Sequence, residues 1–366
     1  MSSTLPSKAV VALVVASLVA GCSASATPSA TSVPTSPPMA TAVPTASSQA
    51  SSQASPSASS QASPSASPAP QAKNLTVGIV DFSETSSTSH QFSVEDQKAF
   101  TAAGWTTLME DPNGDVTKAN TICQQYVTRN VSAIVLDVFT PDEMGLCLSA
   151  AKNAAIPVFG NSMSLAGSSL AGAINTFTSS ELNTRFIQDA TTLGITDIME
   201  INYHAGAPCV ARTQNVIPLL AAHPSINVTA YEVSFPNEVQ LGQQYATAWL
   251  TAHPPTPGHK LAIWACFSEP VLGALAAIKQ LGRTDVIPAW TWDVTQATVA
   301  PIESGQIAAD LWLDPVGMAT QMMSLINGYE ASPYTWQPVE DDAAYKIIDS
   351  SNIVAWMAAN PGAVQP

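Results

Sequence analysis

The run DPNGDVTKANTICQQYVTRNVSAIVLDVFTPDEMGLCLSAAKNAAIPVFGNS, residues 111–162, decides which folds are open to this chain. Asp115 stands where a helix N-cap belongs, and Val116, Ala119, Ile122 and Tyr126 then fall near one helical face. AIVLDV (133–138) is an unbroken apolar run of strand length, the signature of a strand buried on both faces. Thr140, Pro141 and Glu143 form a capping box with proline at the first helical position, and they announce a second helix. IPVFG (156–160) reads as the next strand. Helices alternating with fully apolar strands mean parallel pairing with helical crossovers.

The alternation continues in both directions. Upstream, LTVGIV (75–80) and WTTLME (105–110) read as strands around a helix VEDQKAFTAAG (94–104), capped by Ser93 with Asp96 three residues on. Past Ala173 the pattern restarts. Strands are expected at DIMEIN (197–202), VTAYEV (228–233), LAIWAC (261–266), IPAWTW (287–292) and ADLWLD (309–314). Helices are expected through ELNTRFIQDATTLG, ARTQNVIPLLAAH, GQQYATAWLTAH and EPVLGALAAIKQLG, the last with Pro270 in its first turn. Two such series in succession predict an α/β protein of two doubly wound parallel-sheet lobes.

The first seventy-odd residues are of another kind. Lys8 precedes an apolar run, Ala9 to Ala20, too short to cross a bilayer core of about 30 Å. Its end, Leu18-Val19-Ala20-Gly21-Cys22, resembles a bacterial lipobox. That resemblance implies a signal peptide over 1–21, cleavage before Cys22 and lipidation of Cys22, which would anchor the chain to the membrane. The alternative is an ordinary secretory signal. Residues 22–72 are almost wholly Ser, Ala, Pro, Thr and Gln, with SSQASPSA twice in tandem. Such a segment buries too little apolar surface to offset the entropy of ordering, so a disordered linker is expected, with a span of roughly 40 Å.

Composition narrows the partners. The net charge of −15 argues against nucleic acid and against an anionic lipid surface. Setting Cys22 aside leaves Cys123, Cys147, Cys209 and Cys266, an even number that suggests two disulfides in an exported domain. Neither the cysteines nor the five scattered histidines have metal-ligand spacing, so no metal site and no cofactor are expected. No GxSxG elbow, P-loop or interpretable carboxylate pair points to an enzyme.

The quoted run, with its Asp-rich loop, Val-x-Ala-Ile-Val strand, Pro-containing loop and Ile-Pro-Val, resembles the first lobe of type I periplasmic sugar-binding proteins of the ribose-binding-like group. FSEPVLGALAAIKQLG and WTWDVTQATVAPIESGQIAADLWLDP follow in that family's order. The resemblance covers about 73–350. It implies two lobes joined by a three-segment hinge, residues 73–176 plus 315–347 and residues 177–314 plus 348–366. The crossings would lie near Asn175–Phe177, Asp314–Pro315 and Ile347–Ser350. It implies an extracytoplasmic, monomeric lipoprotein that captures a small molecule, a sugar or sugar-like compound, and delivers it to an ABC permease. A sensor presenting its ligand to a membrane kinase would use the same fold, as would a binder of an aromatic or amine ligand.

In a sheet ordered 2-1-3-4, as the resemblance implies, Cys123 and Cys147 lie on adjacent helices. Cys209 and Cys266 lie near adjacent strands of the second lobe. Pairings 123–147 and 209–266 are therefore expected, with four free thiols as the alternative. Ligands of open α/β sheets sit beyond the carboxyl ends of the strands. The candidates there are Phe82, Glu84, Asp137, Phe139, Asn161 and Ser162 in the first lobe. In the second they are His204, Arg212, Phe267, Glu269, Trp292, Asp293 and Asp314. Asp293 matches the family's ligand-binding Asp, Arg212 its Arg-bearing helix start and Asn161 its Ile-Pro-Val-x-x-Asp position. Phe267-Ser268 replaces the family's Asn-Asp pair. With Trp264, Trp290, Trp292 and Trp312 in the second-lobe strands, this points to a ligand less rich in hydroxyls than ribose, or one with a flat or cationic face. Core positions are the alternative for Trp264, Trp290 and Trp312.

Overall fold

The computed structural model describes residues 74–177, 180–285 and 287–364. The expected signal peptide, the lipidation site Cys22 and the linker 22–72 lie outside the described residues. In the first sheet the strands are β1 (Thr76–Val80), β2 (Thr106–Glu110), β3 (Ala133–Asp137), β4 (Val158–Asn161), β5 (Gly172–Asn175) and β11 (Val339–Asp342). The second holds β6 (Asp197–Asn202), β7 (Asn227–Glu232), β8 (Leu261–Ala265), β9 (Ala289–Trp292), β10 (Ile307–Leu313) and β12 (Tyr345–Ile348). Strand orders are β11-β5-β4-β3-β1-β2 and β12-β10-β9-β8-β6-β7, so the two sheets repeat one topology. All pairings are parallel except β10 with β12. The described residues, from Asn74 on, form one compact unit that contains both sheets.

Helices α1 (Ser87–Ala102), α2 (Val116–Thr128), α3 (Gly145–Asn153) and α9 (Pro315–Ala331) serve the first sheet. The second carries α4 (Glu181–Leu193), α5 (Ala207–Ala221), α6 (Glu238–Ala252), α7 (Glu269–Gln280), α8 (Gln296–Glu303) and α10 (Ile353–Ala359). The Asp115 side chain accepts from Lys118 N–H at 2.9 Å and caps α2. Helices α6 and α7 cross where Gly242 and Gly273 leave room; a Cβ on either would collide with the backbone of Pro270 or Val239. Gly78 likewise makes space for the ring of Tyr126, whose hydroxyl donates to Ile79 O at 3.1 Å. Disulfides join Cys123 to Cys147, between α2 and α3, and Cys209 to Cys266, between α5 and the end of β8.

Several expectations shift. Helix α1 begins at Ser87, seven residues before the expected start, and Ser93 is no cap but an interior residue whose hydroxyl donates to Asp81 at 3.0 Å. Thr140 and Glu143 bond reciprocally, yet they close a turn ahead of α3 rather than its first residues. The chain passes between sheets after Asn175, at Asp314–Pro315, and between Asp342 and Tyr345. The last passage precedes the expected 347–350, because residues 345–348 already pair antiparallel with β10. Trp264 and Trp290 are fully buried and bond Asn183 and Asp189 from within the core. Trp312 packs half-buried on Trp356.

Candidate functional site

Parallel strands of one sheet end together, and here the residues just past the ends of both sheets meet. Phe82, Val138 and Ser162 follow β1, β3 and β4; Tyr203, Phe267 and Asp293 follow β6, β8 and β9. All six line one cavity, which also takes in the first turns of α1 and α5. Val138, Ser162 and Asp293 have positive φ of 67°, 55° and 78°. None is glycine, and for the β-branched Val138 this conformation is costly. Strain of that kind, about 1–3 kcal/mol per residue, persists where the surroundings over-determine the backbone. At all three positions it turns the chain sharply off a strand end and along the cavity wall.

The two walls touch. Ala207 N–H donates to Val138 O at 2.8 Å and Ser87 N–H donates to Glu269 Oε1 at 2.8 Å. Phe82 meets Phe235 at 4.9 Å between ring centroids and Tyr203 at 5.9 Å. The enclosed space is about 30 Å³, whereas one water needs roughly 10–15 Å³ on that measure. That is room for about two or three waters and not for a larger solute.

Arg212, on α5, is 3% exposed and bonds Asp293 bidentately, Nη1 to Oδ2 at 2.9 Å and Nη2 to Oδ1 at 3.2 Å. Its Nη1 also donates to Cys266 O at 2.7 Å, and the guanidinium lies 5.4 Å from the ring centre of Trp292. Its Nε–H has no protein partner, nor does Thr88 Oγ1 on the opposite wall. Behind the first-sheet wall, Asp81 accepts from Phe82 N–H, Ser93 Oγ–H and the His90 ring. That bond raises the His90 pKa. Asp96 accepts from Asn161 Nδ2 at 3.0 Å, and burial pushes it up to about 8. Asp137 is held well above the carboxylate range by burial, then by the charges of Asp81 and Asp96. Burial likewise takes Glu269 to about 8, helped by the charge of Asp293.

The sequence candidates thus divide. Phe82, Ser162, Arg212, Phe267 and Asp293 line the cavity. Phe139 supports Phe82 from behind at 5.1 Å, and Trp292 lies under Arg212. Asp137 and Asn161 are buried at the ends of β3 and β4, and Glu269 joins the walls. Three stand elsewhere. Glu84 is exposed, His204 is exposed and bonded to Glu232, and Asp314 caps α9 through Gly317 N–H. Strand-end position alone drew them in, although a strand-end acid is as readily a helix cap.

Ser86, Thr88, Ser89 and Phe92 were overlooked because the buried stripe of α1 is largely polar, so hydrophobic periodicity hid its first two turns. Tyr203 directly follows a strand and was open to the same reasoning that selected His204. Phe235, in the β7–α6 loop, gave no signal, since nothing local marks a loop that reaches across to another sheet. Among the described residues no group of His, Cys, Asp or Glu is arranged to hold a metal ion, and no helix is long and apolar enough to cross a membrane.

The model of a family described as the periplasmic binding protein domain matches residues 86–330, which is more than half of the chain. The chain belongs to that family. No curated protein matches it by sequence. Among solved structures, an ABC transporter solute-binding protein of Agrobacterium vitis with bound allitol is 20% identical. It covers 79% of this chain and 100% of its own, with a TM-score of 0.70. The arabinose-transporter component of Shewanella sp. ANA-3, bound to L-arabinofuranose, is 18% identical over 78% of this chain and 95% of its own, TM-score 0.68. A 5-methylthioribose transporter solute-binding protein of Thermotoga lettingae is 18% identical over 80% and 93%, TM-score 0.66. At these identities the likeness establishes the fold, two mostly parallel α/β lobes. Members of the family are binding proteins.

Proposed function

We propose that this chain is the extracytoplasmic solute-binding component of an ABC importer. It captures a sugar or sugar-like solute between its lobes and presents the closed form to a permease. In this reading Cys22 carries the lipid that holds it at the outer face of the cell membrane, and residues 22–72 are the slack that lets it reach the permease. The lobes are the two sheets with their helices. The protein acts as a monomer, since one chain supplies both walls.

One observation carries this reading: a cavity lined from both sheets, at the carboxyl ends of their strands, and shut by contacts between the walls. The ligands named for the structural neighbours, allitol, arabinofuranose and 5-methylthioribose, support the solute class. A ligand that binds only the folded form at a hundred times its Kd stabilises by about 2.7 kcal/mol, a rise of a few degrees in Tm. The purified full chain is therefore to be screened by thermal shift and calorimetry against pentoses, hexoses, polyols, amines and amino acids. Binding by a member of the first three groups is expected. Stabilisation by amines or amino acids alone, or chemical conversion of the bound sugar, would refute the proposal.

A further inference from the structure

The chemistry lining the cavity is lopsided. Among the described residues its only charged ones, Arg212 and Asp293, are bonded to each other through both oxygens and both terminal nitrogens. No Asn or Gln lines it among the described residues. Ser162 Oγ is committed to Thr176 at 2.8 Å, and Ser89 Oγ donates to Ser86 O at 3.2 Å. Against this stand four rings linked by a chain of contacts. Phe82 reaches Phe235 and Tyr203 from the first-sheet wall; Tyr203 and Phe235 are 5.1 Å apart, and Phe235 stacks on Phe267 at 5.4 Å.

Resting on the sugar reading above, we infer that the solute carries an apolar substituent, an alkyl, alkylthio or aryl group, that lies among Phe82, Tyr203, Phe235 and Phe267. A few hydroxyls of the same solute meet Arg212 Nε–H and Thr88 Oγ, two buried polar lining atoms left without a protein partner. A fully hydroxylated sugar would carry several donors and acceptors into a box of rings, and each hydroxyl left without a partner loses its bonds to water for nothing. An apolar group instead replaces ring–ring contacts with contacts of the same kind as the walls part and close again.

The test compares matched pairs on the purified full chain by calorimetry: ribose, arabinose and galactose against their phenyl glycosides and their terminal deoxy-alkylthio derivatives. At least one substituted member is expected to bind tenfold or more tightly than its parent. Phe235→Ala should bring that ratio below threefold. Phe235 is half-buried in a loop, and the comparison on the unaltered chain stands without the variant. Parent sugars that bind as tightly as their derivatives overturn the inference and leave the sugar reading in place. So does a ratio that Phe235→Ala leaves unchanged. If no member of any pair binds, this inference falls, and the wider screen of pentoses, hexoses and polyols decides the sugar reading.

Discussion

Glu269→Gln isolates a charge that the closed cleft keeps out of water. Glu269 is 5% exposed, accepts from Ser87 N–H across the walls, and has its pKa raised from 4.5 to about 8 by burial and by Asp293. Below pH 4.5 the carboxyl is neutral both folded and unfolded and contributes nothing to the pH dependence. Between 4.5 and about 8 only the unfolded chain releases the proton, so stability is lost as the pH rises through that window. At about 1.4 kcal/mol per pH unit, the interval is worth at most about 5 kcal/mol. In the proposed open form the carboxyl is rehydrated short of unfolding, so about half of that is expected. Gln keeps the oxygen that accepts from Ser87 and removes the charge. Urea melts of parent and variant should coincide near pH 4.5 and diverge upward, with the variant more stable by about 2–3 kcal/mol at pH 9. Asp96, Asp137 and Asp310 are also raised by burial and will slope both curves, which is why the difference between the two is the measured quantity. Superimposable curves, or a variant less stable by the same amount at every pH, would refute the reasoning.

Arg212→Met leaves Asp293 buried without its partner and should cost about 3–5 kcal/mol in denaturant melts. Adding Asp293→Asn should return most of that stability without restoring ligand affinity, whereas recovery of both would place the pair outside the binding site. Opening the 209–266 disulfide with the double Ser variant should cost about 4 kcal/mol, and the 123–147 bond about 3.5 kcal/mol, because the closed loops span 57 and 24 residues. Chemical denaturation ranks the two, and an inverted order would count against the loop-entropy account. Gly273→Ala should destabilise by about 1–3 kcal/mol, because its methyl meets the backbone of Val239 on α6, which cannot rotate aside as a side chain could. An unchanged Tm would mean the two helices separate freely.

The strands were readable where burial on both faces made them continuously apolar, as in AIVLD and LAIWA, and each of those runs is a strand to within a residue. Short or polar elements were not. GAIN (172–175) is too brief to stand out, VEDD (339–342) is acidic and still pairs with it, and α8 with its interior Pro301 has little helical signature. At the site, Arg212 and Asp293 were legible as a cation and a carboxylate near strand ends. That they neutralise each other was not, because 81 residues separate them and no local pattern links them.

Local pattern therefore settles what each segment does: alternate strand and helix, bury one face, and return to the same end of a sheet. That periodicity is enough for two parallel sheets, and with the pairing order it brings the four cysteines within bonding reach. Which side chains share the cavity is decided elsewhere. Phe82 and Phe235 belong to different sheets and Ser87 and Glu269 to different helices, so their contacts depend on how two independently wound bodies are set against each other. Distances across that gap are long-range properties of the fold. No window of ten or twenty residues contains both partners, and so none could reveal that the gap is lined with rings.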